Sequence, residues 1–326
     1  MTNPSFDWKN PASPARVILL GGILLDRYIE VDRYPLAGGD TLIRGSFDAI
    51  GGCSLNVAVT LKNLGSVPYV VTQWGEDKAG SEIEQQVWSS GLQADYMRQV
   101  PGGRTGFDWV VLDRSGERTF FTLKGCEGEV PRGVPQMLRG ARFDFAYVTG
   151  YYLLNRQTAA AVLDLVGHFR ENGCQVVFDP GPLVGEMDPA QLKGMLLHSD
   201  WLVPNAEELG FIEAKLNLGE DLAGWLLGQG CRGMVLKRGR MGVQVRTPTG
   251  VFTESAFPVV PVDTTGAGDS FAGGLMYGLS AGYPLRQAIT LASACGAFLT
   301  TLKGPHGAFS KDDILNFIQN AKDNPS

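Results

Sequence analysis

The sequence predicts an α/β protein: a central, mostly parallel sheet with helices on both faces, carrying a small β-sheet lid. Three observations predict it. From residue 143 onward, short continuous apolar runs alternate with helical segments, the rhythm of strands buried on both faces and joined by helical crossovers. Upstream, two pairs of segments alternate polar with apolar residues, as strands do when only one face is covered. The length, 326 residues, is long for one compact domain and short for two large ones, which favours one large body with an appended element.

Met1 to Pro14 is polar and holds three prolines. Residues 1–15 are expected to form a flexible tail, not a signal peptide, with the α/β domain running from 16 to 326. Arg16–Gly22 is a short apolar strand ending in the pair Gly21-Gly22. Asp26–Asp32 and Thr41–Ile50 alternate, separated by a turn with Pro35, Gly38 and Gly39. Leu55, Ala58, Val59, Leu61 and Leu64 recur at helical spacing over Ser54–Leu64, and Val67–Thr72 follows as a buried strand. Phe107–Asp113 and Arg118–Leu123, joined by Arg114-Ser115-Gly116-Glu117, alternate again. We read the two alternating regions as one lid, discontinuous in sequence at about residues 26–50 and 104–125; two ordinary edge hairpins are the alternative. Phe143–Thr149, Gln175–Phe178, Trp201–Val203 and Gly233–Leu236 are then the strands of the body, with helices such as Gln157–Glu171 between them. Sheets of this kind bind ligands at the carboxyl ends of their strands, so chemistry is sought just after each one.

Composition narrows the function. The apolar share, 44%, supports a substantial core, and 43 glycines favour tight turns and close backbone approaches. A net charge of −6 without a basic run offers no footprint for nucleic acid or an anionic membrane. The five cysteines are scattered and never form C-x-x-C, which argues against a disulfide framework or zinc site and for a reducing compartment. Three histidines are too few for a site built on several of them. No run of about 18 apolar residues is present, and the cytoplasm is the expected location.

The chemistry concentrates in Val262-Asp263-Thr264-Thr265-Gly266-Ala267-Gly268-Asp269-Ser270-Phe271-Ala272-Gly273-Gly274. Small residues lead straight into a helical run, Asp269–Ala281. A helix start leaves backbone N–H groups unpaired and carries partial positive charge, and glycines let that backbone approach an anion. Gly266, Ala267 and Gly268 are thus candidates for an anion hole. Asp269 beside them is a candidate general base; a plain helix-terminal aspartate is the alternative, but that role needs no Gly-Ala-Gly. The run is neither a P-loop nor a dinucleotide fingerprint, and protein-kinase motifs are absent.

Asp263-Thr264-Thr265-Gly266-Ala267-Gly268-Asp269-Ser270-Phe271 resembles the C-terminal signature of the ribokinase or PfkB family of carbohydrate kinases. The resemblance extends from about Val17 to Phe317. It implies a ribokinase-like fold and transfer of the γ-phosphate of Mg·ATP to a sugar hydroxyl, with Asp269 as base and the Gly266–Gly268 backbone as anion hole. Gly51-Gly52-Cys53-Ser54-Leu55-Asn56 is similar to the family's G-G-x-x-x-N motif, which implies Gly51, Gly52 and Asn56 at the sugar, joined by Asp26 after the first strand. Asn205-Ala206-Glu207-Glu208 resembles N-x-x-E, which implies Asn205 at the nucleotide and Glu208 near Mg2+, largely through water. Lys237, Gly239 and Gly242 are implied in the nucleotide loop, with Thr264, and the closing helix Leu285–Thr301 along the adenine. Asp263 and Thr265, with backbone near Lys303–Gly304, would form the monovalent-cation site, for K+, that many members carry.

Two departures concern the acceptor: Leu24 stands where ribokinases have asparagine, and Cys53 where lysine is common. The pocket is therefore expected to differ from a ribose pocket, with Phe107, Trp109, Tyr151 and Tyr152 as aromatic candidates that core packing explains equally well. A nucleoside kinase and a non-catalytic sugar or nucleotide sensor on the same scaffold are the rival functions. Lids of this family often pair between subunits, which implies a homodimer through the lid.

Overall fold

In a computed structural model, residues 8, 10, 11, 13–114, 118–218 and 221–323 are described. Its strands are β1 (Arg16–Leu20), β2 (Leu24–Val31), β3 (Ile43–Gly51), β4 (Val67–Gly75), β5 (Met97–Val100), β6 (Phe107–Leu112), β7 (Arg118–Leu123), β8 (Phe145–Thr149), β9 (Gln175–Asp179), β10 (Trp201–Leu202), β11 (Gly233–Lys237), β12 (Val243–Thr247) and β13 (Gly250–Glu254). Nine of them form one sheet in the order β13-β12-β11-β10-β9-β8-β1-β4-β5. Pairing is parallel from β5 to β11, while β12 and β13 add an antiparallel edge.

Alternation along each central strand sorts the core to two faces. Val17, Leu19, Tyr147, Val177 and Val235 pack on one side against the helices Cys53–Asn63, Ala267–Ser280 and Leu285–Thr300. Ile18, Leu20, Ala146, Val148 and Phe178 pack on the other against Arg156–Glu171 and Pro189–His198. Helix starts follow their sequence signals: Asn155 Oδ1 accepts from the amides of Gln157 and Thr158, and Asp77 accepts from that of Gly80. The strand order reverses around β1, whose neighbours are β8 and β4, so the carboxyl end of β1 is the crevice where a doubly wound sheet takes its ligand.

The lid is one four-stranded sheet, β3-β2-β6-β7. The two alternating regions meet through a parallel β2–β6 pairing, while β2–β3 and β6–β7 are antiparallel. Its chain crosses to the body four times: after β1, after β3, before β6 and after β7. Three of these crossings, at Gly22, Gly106 and Gly125, meet at Glu127, which is fully buried and accepts from the amides of Gly106 at 2.8 Å and Gly125 at 3.0 Å. A methyl group on Gly106 would lie 2.2 Å from that carboxylate, so a larger residue there would expel it.

Several expectations need adjustment. Leu285–Thr300 is not the closing helix, since Lys311–Asp323 follows it. Helix Lys78–Ser90, the short edge strand β5 and the β12–β13 hairpin were not foreseen. Residues 1–7, 9 and 12 of the expected tail, and Ser115–Glu117 of the lid turn, lie outside the described residues. The described part of the tail is anchored: Trp8 meets Tyr283 edge-on at 5.4 Å, and buried Ala15 accepts a hydrogen bond from Val67. Among the described residues no helix is long and apolar enough to cross a membrane.

Candidate active site

The helix Ala267–Ser280 begins at Gly266, whose φ of 74° is left-handed. A side chain there would put Cβ 1.9 Å from the Pro305 carbonyl oxygen. Glycine is therefore required on both counts. No side chain caps the helix, which leaves its first amides available to an anion.

Asp269 lies in that first turn, partly exposed at the base of a crowded cleft. Its Oδ2 accepts from Asn56 Nδ2 at 2.8 Å. Asn56 comes from the first turn of Cys53–Asn63, so two helix starts meet at this carboxylate. Desolvation pushes the Asp269 carboxyl up to about 7, with Asp179 adding to the rise; Asn56, Lys237 and Cys53 pull it down. A base poised there is well placed to accept a proton near neutral pH.

Lys237, at the end of β11, donates to Asp179 Oδ2 at 2.9 Å and lies beside Gly268. Glu208 is buried, and burial with the nearby Asp179 charge lifts its carboxyl to about 7, against the pull of Lys237. Asn205 and Glu208 form a capping box: each side chain accepts from the other's backbone amide at 2.8 Å. Both are thus partly committed to starting the helix Ala206–Leu216. Two crowded carboxylates, Asp179 and Glu208, suit a divalent cation that keeps most of its water, since Mg2+ needs few protein ligands. Among the described residues no cluster of three or more His, Cys, Asp or Glu is placed to ligate a metal directly. Gly239 opens a short exposed turn, and Gly242 (φ 78°) packs against the Glu254 carbonyl, a close approach that serves the β12–β13 edge.

At the other end of the cleft, Asp26 is 4% exposed. Burial raises its carboxyl well above the usual range, and Asp108, Asp269 and Asp263 raise it further. A methyl group on Gly51 would stand 2.0 Å from Asp26 Oδ2, and one on Gly52 (φ 99°) 2.5 Å from the Gly22 carbonyl. The glycine pair therefore makes room for Asp26 and for the chain leaving β1. Asn56 Oδ1 is buried without a partner.

The signature loop is tied to the lid. Arg118 of β7 pairs with Asp263 at 2.5 Å, both side chains nearly dry, and also meets the Thr264 hydroxyl. The same Asp263 carboxylate accepts from the amides of Thr265 (2.8 Å) and Gly304 (2.9 Å). Asp263 is thus engaged by a guanidinium and two amides, while the Thr265 hydroxyl oxygen beside it is buried without a partner.

Of the aromatic candidates, Tyr151 sits at the cleft after β8. Tyr152 is core, its hydroxyl bonded to the Val71 carbonyl. Phe107 and Trp109 lie on the lid's outer face under the Arg27 guanidinium. They flank Asp108 in an alternating strand, so when Asp108 faces inward they must face outward. A cavity of about 490 Å³ beneath that outer face, lined by Leu25, Arg27, Asp77, Arg104 and Phe107 among others, is separate from the catalytic cleft. Sequence reasoning missed Asp179, Arg118 and Asp108. Asp179 carried one signal, an acid directly after an apolar strand.

Residues 18–311 match the pfkB family carbohydrate kinases. The chain belongs to that family. It is 29% identical over 305 residues to an ATP-dependent ribose-1-phosphate kinase of Halopiger xanaduensis, covering 93% of this chain and 98% of that protein. It is 31% identical over 284 residues to a fructokinase of Klebsiella pneumoniae, covering 81% and 90% respectively. The fold is shared with an inosine-bound nucleoside kinase of Burkholderia thailandensis (TM-score 0.81, 21% identity, 94% and 99% coverage). As a pfkB carbohydrate kinase the chain is an ATP-dependent phosphotransferase with an alcohol group as acceptor, on a ribokinase-like scaffold.

Proposed function

We propose that this kinase transfers the γ-phosphate of Mg·ATP to a hydroxyl of a sugar or sugar-like alcohol, with Asp269 taking the hydroxyl proton. The observation that carries the reading is the pairing of Asp269, its carboxyl raised to about 7, with an uncapped glycine-entered helix start. Backbone amides of Gly266–Gly268 face the charge that develops on the phosphoryl group. Lys237 neutralises charge beside Gly268, and Asn205, Gly239, Gly242 and Thr264 border the nucleotide. Mg2+ accompanies the nucleotide and neutralises its phosphates; Glu208 and Asp179 would hold it through water. Asp26, Asn56 and the Gly51-Gly52 turn hold the acceptor, and the lid excludes water. A monovalent cation at Asp263 and Thr265 would share the carboxylate with Arg118.

The lid's outer face supports a homodimer. Trp109, Phe121 and Leu123 are exposed there in one patch, and pairing two such faces would cover it. Light scattering on the purified chain is expected to give twice the monomer mass; a monomer at micromolar concentration rejects the pairing.

An ADP-release screen across aldoses, ketoses, sugar acids, sugar phosphates and nucleosides tests the activity. Acceptor-dependent ADP formation is expected. Tight binding of an acceptor without turnover would favour a sensor, and turnover of nucleosides alone would favour a nucleoside kinase.

A further inference from the structure

The inner face of the lid carries a second carboxylate that none of the sequence motifs contains. Strands β2 and β6 pair in parallel with Asp26 opposite Asp108, so the two side chains project from the same face. Two and four residues along, that face carries Tyr28 beside Val110 and then Glu30 beside Leu112, with Leu112 opposite Arg118 on β7. Arg118 reaches Asp263 in the signature loop, so the row containing Asp26 and Asp108 looks onto the catalytic cleft.

Asp108 is 8% exposed, and its Oδ1 is buried with no hydrogen-bond partner. Thr122, opposite it on β7, is its one neutral donor. Lys124, the cation whose charge acts on Asp108, lies 4.1 Å from the centre of the Tyr151 ring. A carboxylate buried with an empty acceptor position costs stability unless something fills it. Among the described residues none donates a hydrogen bond to Asp26 next to it, and Asn56 Oδ1 is unpartnered. The acceptor end of the cleft thus offers acceptor oxygens on two sides and few donors. What fits is a molecule bearing donors on both sides and no negative charge there.

We propose that Asp108 is a specificity-determining residue that accepts a hydroxyl hydrogen from the acceptor on the lid side, so that the acceptor is an uncharged polyol engaging Asp26 and Asp108 with separate hydroxyls. The inference rests on the kinase reading above and names its substrate class. A phosphate or carboxylate at the lid side of the cleft would meet two carboxylates and is disfavoured. A nucleoside presents its ribose hydroxyls to one side and a largely apolar base face to the other, which leaves Asp108 Oδ1 unfilled.

The test compares wild type with Asp108→Ala and the shape-conserving Asp108→Asn, each checked for folding by its thermal melt. D-ribose, D-fructose, ribose 1-phosphate and inosine are the probes, measured by ADP release and, without ATP, by calorimetric titration. A free sugar is expected to be preferred. For it, Asp108→Ala should raise KM and the calorimetric Kd roughly ten- to hundredfold, the worth of a hydrogen bond to a charged group, with kcat and the KM for ATP little changed. Asp108→Asn, which keeps an acceptor oxygen, should recover part of the loss. Among monodeoxy analogues of the preferred sugar, one should erase the difference between wild type and Asp108→Ala. Unchanged KM and Kd in both variants overturns the proposal, as does preference for inosine or ribose 1-phosphate, or binding of none of the four. Binding of a sugar without ADP release rejects the kinase reading instead, and the titrations alone then decide the role of Asp108.

Discussion

At the end of the cleft proposed for the phosphates, the charged side chains meet partners from the protein. Lys237 holds Asp179, Glu208 and Asn205 cap one another, and Arg118 balances Asp263. At the end proposed for the acceptor, oxygens are left over: Asp108 Oδ1 and Asn56 Oδ1 are buried without partners, and Asp26 faces its neighbouring acids. A site that is complete by itself can serve one unvarying ligand such as a nucleotide phosphate. A site that is incomplete asks its ligand to supply the missing donors, and there selectivity is decided. Asp269 stands at the seam, hydrogen-bonded to Asn56 on the acceptor side and coupled to Asp179 and Lys237 on the other.

The sharpest way to break this comparison is at the seam. Asp269→Asn is expected to lower kcat by about 10²–10⁴-fold while sparing ATP affinity, the usual worth of a positioned general base; single-turnover kinetics with nucleotide titration measure both. Unaltered turnover would remove Asp269 from the mechanism. Next, Lys237→Met should destabilise the fold by about 3 kcal/mol in urea unfolding, because it leaves Asp179 largely buried and unpaired. Adding Asp179→Asn should restore much of that loss. If the single variant costs nothing, the phosphate end is not self-balanced.

Gly266→Ala probes the same end through its backbone. The left-handed φ and the clash with Pro305 predict a loss of more than about 1 kcal/mol in stability, together with reduced kcat. An unchanged melting temperature would mean that the loop relaxes freely.

The mildest probe is pH. In the proposed mechanism Asp269 acts only when ionised, and its folded carboxyl is raised to about 7. Thus kcat/KM should climb as pH rises through about 7 and level off above it. Stability has the opposite sign: the ionised carboxylate is disfavoured in the folded state, so its cost grows from the ordinary carboxylate range and is complete above about 7. Asp269→Asn should therefore gain melting temperature relative to wild type at alkaline pH and little in acid. A kcat/KM profile flat from about pH 5 to pH 9 contradicts the assignment.

Much of the geometry of the two helix starts was legible because its physics is local. Gly266-Ala267-Gly268-Asp269 needs only its neighbours in sequence to make a helix start with free amides, and Gly51-Gly52 with Asn56 does likewise. The two-part lid was legible from alternation. Asp108 was not, because its meaning depends on which strand lies beside β6, and the parallel β2–β6 pairing is a long-range fact. The same fact corrects Phe107 and Trp109: their parity relative to Asp108 sends them outward. Asp179 and Arg118 acquire their roles only when β9 meets β11 across the sheet and when β7 folds over the signature loop. The Arg118–Asp263 pair was equally hidden, because nothing local reveals a contact across 145 residues.

Glu127 has a consequence for motion. Four passages of chain join lid to body, and two of them, at Gly106 and Gly125, are bolted to one buried carboxylate. A small sheet joined to the body at so many points has little room to slide or twist on it. The placement of Asp26 and Asp108 relative to Asp269 is thus set by how those four passages are anchored, and Glu127 anchors two of them.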